Sequence, residues 1–206
     1  MTTNWRKTTH KGWIDGLADS DYDIAGTLKF YNGRTIGKSK ATALLGAYWH
    51  KVDRMLFGQA ANKGYGVERW CFTEYGSDGQ NLHVHFIAKS PITVRPCCAV
   101  LNALWANMDT TTADVAHNWI TPIQNARAAI GYATKDTRHL GTDLLGEKIS
   151  HTNAAGIDTG TFDREAQIKR IANRISHRHL TQAYEAMEEL LFIGSGVLRL
   201  TRLWPE

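Results

Sequence analysis

The sequence predicts an α+β fold: a central antiparallel sheet with helices on one face, ordered β-α-β-β-α-β-α, then a mainly helical C-terminal extension. Three observations predict it. Apolar and polar residues alternate from Ile24, the two-residue period of a strand, and the short runs 67–75 and 82–88 read as two further strands. The last two runs are joined by the turn-forming "GSDGQ" (76–80). Between the runs, apolar residues recur at three- and four-residue spacing, the period of amphipathic helices.

Each element follows from its own pattern. Residues 1–22 are polar and weakly patterned and read as an N-terminal arm or loop. Asp23 to Tyr31, "DIAGTLKFY", is the first strand, and the glycine-rich "NGRTIGKSK" is a turn. From Ala41 to Leu56 the apolar positions 41, 44, 45, 48, 52, 55 and 56 form one helical stripe, which "NKGYG" ends. Val67 to Tyr75 and Leu82 to Ala88 are the arms of a hairpin. Pro91 and Pro96 lead into a helix with apolar positions 97, 100, 101, 104, 105 and 108. "ADVAHNWITPI" (113–123) reads as the fourth strand and "NARAAIGYATKD" (125–136) as a helix weakened by Gly131. After a loop at 140–160, helical spacing returns at 163–191 through Ile168, Ile171, Ile175, Tyr184, Met187 and Leu191. The expected division is an arm at 1–22, a core at 23–140 and an extension at 141–206, either a separate helical element or one packed back on the core.

Of the 206 residues, 43% are apolar and 21% charged, which excludes a disordered chain. A net charge of +4 is compatible with a polyanionic partner without demanding one. The three cysteines, Cys71, Cys97 and Cys98, include no C-x-x-C. That argues against a disulfide framework or a zinc ribbon and for a reducing compartment. The opening "MTTNWRKTTHKGW" has no apolar signal core, and "LLFIGSGVL" from Leu190 is too short to span a bilayer. A cytoplasmic location without membrane association is the expectation.

The stretch with chemical content is "EYGSDGQNLHVHFIAK" (74–89). Residues i and i+2 of a strand share a face, so His83 and His85 present both rings on one side with Val84 on the other. Glu74 lies on the partner strand just before the turn, and adjacent strands run about 4.8 Å apart. Two imidazoles and a carboxylate with open coordination positions suit Mn²⁺ or Mg²⁺ as a Lewis acid. An isolated H-x-H is more often a pair of half-buried histidines hydrogen-bonded in a sheet. Asp78 is a second acidic candidate, but turn chemistry already explains it. A second H-x-H, His177 and His179 in "SHRHL", lies in a helical pattern where i and i+2 diverge, and reads as solvated or phosphate-touching surface.

In "GYATKD", Tyr132 and Lys135 are i and i+3, on one face if the segment is helical. A phenol is a nucleophile toward an electrophile made reactive by charge, and a nearby lysine neutralises charge that develops. Alone, Y-x-x-K carries little weight.

Together, Glu-x8-His-Val-His on a hairpin and "GYATKD" on a later helix resemble the HUH endonucleases, with their ferredoxin-like sheet. Among them the chain is most similar to the single-tyrosine rolling-circle replication initiators (Rep) of phages, plasmids and small viruses. "GTLKFY" (26–31) resembles the family's first motif, "HVHFIA" (83–88) the second and "YATKD" (132–136) the third; the resemblance covers residues 23–139. It implies that Glu74, His83 and His85 hold the metal, that Tyr132 attacks a DNA phosphate, and that Lys135 balances charge. It also implies a 5′-phosphotyrosine link, a free 3′-OH and later rejoining of single-stranded DNA at a replication origin. "GRTIGKS" from Gly33 is one residue short of a P-loop, so unwinding is left to a host helicase, with a host polymerase as a further partner.

A mobilisation relaxase or single-tyrosine transposase would use the same chemistry. A noncatalytic nucleic-acid-binding domain with a structural Tyr132 is the alternative of another class. Lys29, Arg34, Lys38, Lys40, Arg127 and Arg138 are candidate DNA contacts, as are Lys169, Arg170, Arg174, Arg178, Arg199 and Arg202 in the tail.

Overall fold

The computed structural model describes residues 2–135 and 164–196, with side chains over 7–135 and 166–192. The expected 140–160 loop, Arg138, Arg199 and Arg202 lie outside the described residues. The elements are α1 (Thr2–Ala18), β1 (Ile24–Lys29), α2 (Lys38–Phe57) with a 3₁₀ turn (Gly58–Lys63), β2 (Arg69–Glu74), β3 (His83–Ala88), α3 (Val94–Ala106), β4 (Trp119–Pro122), α4 (Ala126–Ala133), α5 (Arg164–Arg174) and α6 (His177–Gly196). The fold is α+β, with a four-stranded sheet ordered β2-β3-β1-β4 and antiparallel throughout. β3 inserts between β1 and β2, the split β-α-β connectivity.

Both faces of the sheet are covered, not one. On the first face, Ile24, Leu28, Val84, Phe86 and Ile120 pack with Leu45, Trp49 and Val52 of α2 and with Leu101 and Trp105 of α3. On the other, Ala25, Phe72 and Ile87 meet Trp13, Ile14 and Leu17 of α1 and Ile130 and Ala133 of α4. Every residue of β3 is buried, as a strand covered on both sides must be. Gly26 sits where the Phe86 ring crosses β1, and a Cβ there would overlap that ring.

Residues 2–18 are a helix, where the polar composition suggested an arm or loop. Of its described side chains, Trp13, Ile14, Leu17 and Ala18 pack in the second-face cluster. Tertiary burial of those four, rather than a full apolar stripe, holds the helix. Asp15 accepts from Arg127 of α4 at 2.7 Å.

The fourth strand is shorter than the expected 113–123. Asp114 accepts from the backbone N–H groups of Ala116 and His117, so the chain turns before Trp119. The C-terminal pattern is two helices, broken where Ser176 Oγ accepts the N–H of His179. They pack back on the core: Ile175, Ala183 and Met187 are buried in the first-face cluster. Arg170 donates to the carbonyls of Met55 and Leu56 at the end of α2, so it serves as a helix cap. The three cysteines are buried and free. Among the described residues, no helix is long and apolar enough to cross a membrane.

Candidate metal centre

The β2–β3 register sets Glu74 opposite His83 and Phe72 opposite His85. The β1–β3 register sets Thr27 opposite His85 and Lys29 opposite His83. Directly paired residues share a face. Glu74, His83, His85, Thr27 and Lys29 therefore gather on the face that α1 and α4 cover. Tight turn chemistry makes this register: Gly76 and Gly79 take positive φ, and Asn81 N–H donates to Tyr75 O at 2.7 Å.

Glu74, His83 and His85 are buried, and their ligand atoms all lie within 4.8 Å of one another. His85 Nε2 stands 2.6 Å from Glu74 Oε2, and His83 Nε2 stands 3.5 Å from Glu74 Oε1. His83 Nδ1 faces the Asn81 carbonyl at 2.9 Å, and His85 Nδ1 faces Thr27 Oγ1 at 2.8 Å. Burial raises the Glu74 carboxyl, but the two imidazoles beside it outweigh burial and hold it well below the carboxylate range. Burial pushes the His85 imidazole down to about 4 in spite of Glu74. At neutral pH the carboxylate is ionised and His85 is neutral, the states in which both act as ligands. Two imidazole nitrogens and one carboxylate fit a divalent cation, and the group can hold one.

Asp78, the other acidic candidate, does not join the group. It binds Arg34 and accepts from Gln80 N–H in the turn. His177 and His179 fall in the first turn of α6, separate from the centre.

Tyr132 and Lys135 both arrive at the group, although the helix is shorter than 125–136. Asn125 caps α4 by accepting from Ala128 N–H at 3.0 Å. The helix ends at Ala133, where the Thr134 N–H and hydroxyl both bond the Ile130 carbonyl. Lys135 thus lies past the helix end rather than on its face. Its Nζ is nonetheless 4.1 Å from the Tyr132 ring centroid and 3.0 Å from Glu74 Oε1. Burial opposes the Lys135 charge, but Glu74 and Tyr132 more than compensate and raise its ammonium. The half-buried Tyr132 ring stands edge-on to His85 at 5.0 Å between centroids and to Trp119 at 6.4 Å.

The candidate DNA-contacting cations divide. Lys29 stands beside the centre, its ammonium pushed down by burial. Arg34, Lys40 and Arg127 pair with Asp78, Asp109 and Asp15. Lys169, Arg174 and Arg178 are exposed.

Sequence reasoning missed Thr27 and Trp119. Thr27 carried one signal, a polar residue in the middle of a short strand. Its partner lies 58 residues away. No protein-family model matches the sequence, and neither a curated protein nor a solved structure shows significant similarity to it.

Proposed function

We propose that the chain nicks and rejoins single-stranded DNA at a specific origin sequence to start rolling-circle replication, with Tyr132 as the nucleophile. The supporting observation is the juxtaposition of Tyr132 with the metal-type group, its ring 5.0 Å from that of His85. Glu74, His83 and His85 would hold a divalent cation, Mn²⁺ or Mg²⁺ by the donor set, which would supply Lewis-acid polarisation of a phosphate oxygen.

The chain's own residues do the rest. The phenolic oxygen of Tyr132 bonds to phosphorus as the bond from phosphorus to the 3′-oxygen breaks, and the phenolic proton ends on that 3′-oxygen. The products are a 5′-phosphotyrosine and a free 3′-OH that primes a host polymerase; the reverse transfer rejoins a strand. Lys135, between the Tyr132 ring and Glu74, supplies positive charge where negative charge develops. A host helicase unwinds the duplex in the cytoplasm of the host cell.

Incubation with Mn²⁺ and a random single-stranded library tests this. The expected result is a protein–DNA adduct that survives denaturant, forms on a subset of sequences and is lost in Tyr132→Phe. Binding with no adduct on any sequence would make this a nucleic-acid-binding module instead.

A further inference from the structure

The two histidines of the centre are held differently. His83 Nδ1 faces a backbone carbonyl, Asn81 O, at 2.9 Å. A carbonyl only accepts, so in the neutral ring the proton sits on Nδ1 and Nε2 presents its lone pair. His83 Nε2 is accordingly 3.5 Å from Glu74 Oε1, beyond a good hydrogen bond. His85 has the reverse arrangement. Its Nε2 lies 2.6 Å from Glu74 Oε2, so Nε2 carries the proton and donates to the carboxylate. Its Nδ1 then holds the lone pair and must accept, and the group it meets is the Thr27 hydroxyl at 2.8 Å.

A metal at His85 Nε2 requires the opposite tautomer. The proton must sit on Nδ1, which then becomes a donor. Thr27 is 0% exposed and His85 1% exposed, so bulk water is not at hand to take over either bond. A threonine hydroxyl is both donor and acceptor and needs only a rotation of its proton to serve both states. A carboxylate or carbonyl in its place would hold Nδ1–H, and an aliphatic side chain would support neither tautomer.

We propose that Thr27 is a positioning residue whose two-way hydrogen bond lets His85 change from donor toward Glu74 to metal ligand. The inference rests on the metal reading of this centre and adds the residue that permits loading. Without the hydroxyl, the cheaper state leaves the Nδ1 lone pair unpaired and keeps the proton on Nε2, opposing the metal.

Two measurements test it. In ¹⁵N spectra of wild-type imidazoles, His85 carries its proton on Nε2 without metal and on Nδ1 with Zn²⁺. In calorimetric titrations with Mn²⁺, Thr27→Val binds about 10- to 100-fold more weakly, the usual cost of losing an outer-sphere partner, and Thr27→Ser recovers most of it. A proton on Nδ1 in both states, or wild-type Mn²⁺ affinity in Thr27→Val, overturns the inference while leaving the metal centre intact. Wild-type protein that binds neither ion overturns the metal reading and this inference with it. If circular dichroism shows that Thr27→Val does not fold, the wild-type tautomers decide alone.

Discussion

Lys135 and Glu74 meet at 3.0 Å between Nζ and Oε1, so an ammonium from beyond α4 shares the carboxylate that two histidines also face. The contact opposes a divalent cation in two ways, by occupying a carboxylate oxygen and by like-charge repulsion. Lys135→Met is therefore expected to bind Mn²⁺ more tightly, by about 3- to 10-fold if the loss is on the order of 1 kcal/mol of repulsion at this half-buried site. Its rate of adduct formation with single-stranded DNA is expected to fall. Calorimetry and a single-turnover adduct assay read the two effects separately. Weaker Mn²⁺ binding in the variant would mean that Lys135 supports the carboxylate rather than competing for it.

His85 makes stability pH-dependent in a defined window. Its folded pKa is about 4 against an ordinary 6.5. As pH falls below 6.5, the unfolded chain takes up a proton that the folded chain refuses. Stability from this group therefore falls with pH, by up to about 1.4 kcal/mol per unit. Glu74, held below its ordinary value, loses its contribution only at more acid pH. Urea unfolding between pH 6.5 and 5 in chelator should show the slope in wild type and a flatter one in His85→Gln. Parallel slopes would remove His85 from the account.

Gly26 lies under the Phe86 ring in the middle of β1, with Ile120 Cγ1 3.1 Å from where a Cβ would stand. Neither neighbour can move freely in a core covered by α2 and α3. Gly26→Val is expected to cost about 2 kcal/mol or more, in spite of the better strand propensity of valine. Denaturant midpoints measure it, and an unchanged midpoint would mean that Phe86 repacks.

Asp53 of α2 and Arg69 of β2 form a buried two-pronged pair at 3.1 and 3.2 Å, and Asp53 also accepts from Val67 N–H. Removing one partner strands the other charge. Arg69→Met is expected to cost about 3 kcal/mol or more. The double variant Arg69→Met with Asp53→Leu is expected to recover part of that, because no lone charge remains buried. A double variant as unstable as the single one would show that the Asp53–Val67 bond or the Arg69–Trp49 stack matters more.

Local chemistry made much of the centre legible. The "HVH" run predicts two rings on one face because strand side chains alternate, and "GSDGQ" predicts the hairpin that places Glu74 opposite His83. Less was legible where packing overrides local pattern. Residues 2–18 carry too few apolar side chains to announce a helix, and the sheet's second covered face explains why they form one. The helix carrying Tyr132 ends early at Ala133, yet Lys135 still reaches the centre, because a long flexible side chain follows charge rather than helical phase.

The amino-acid order by itself determined the strand and helix periods, the sheet class and the grouping of Glu74, His83 and His85, since each depends on neighbours within one hairpin or one helix. Only the tertiary structure decided that β1 lies beside β3 and brings Thr27 to His85, that α4 sets the Tyr132 ring beside His85, and that the C-terminal helices join the core. Those outcomes rest on pairings across tens of residues. Burial energy and the entropy of closing the chain choose among such pairings, and neither is written in any local period.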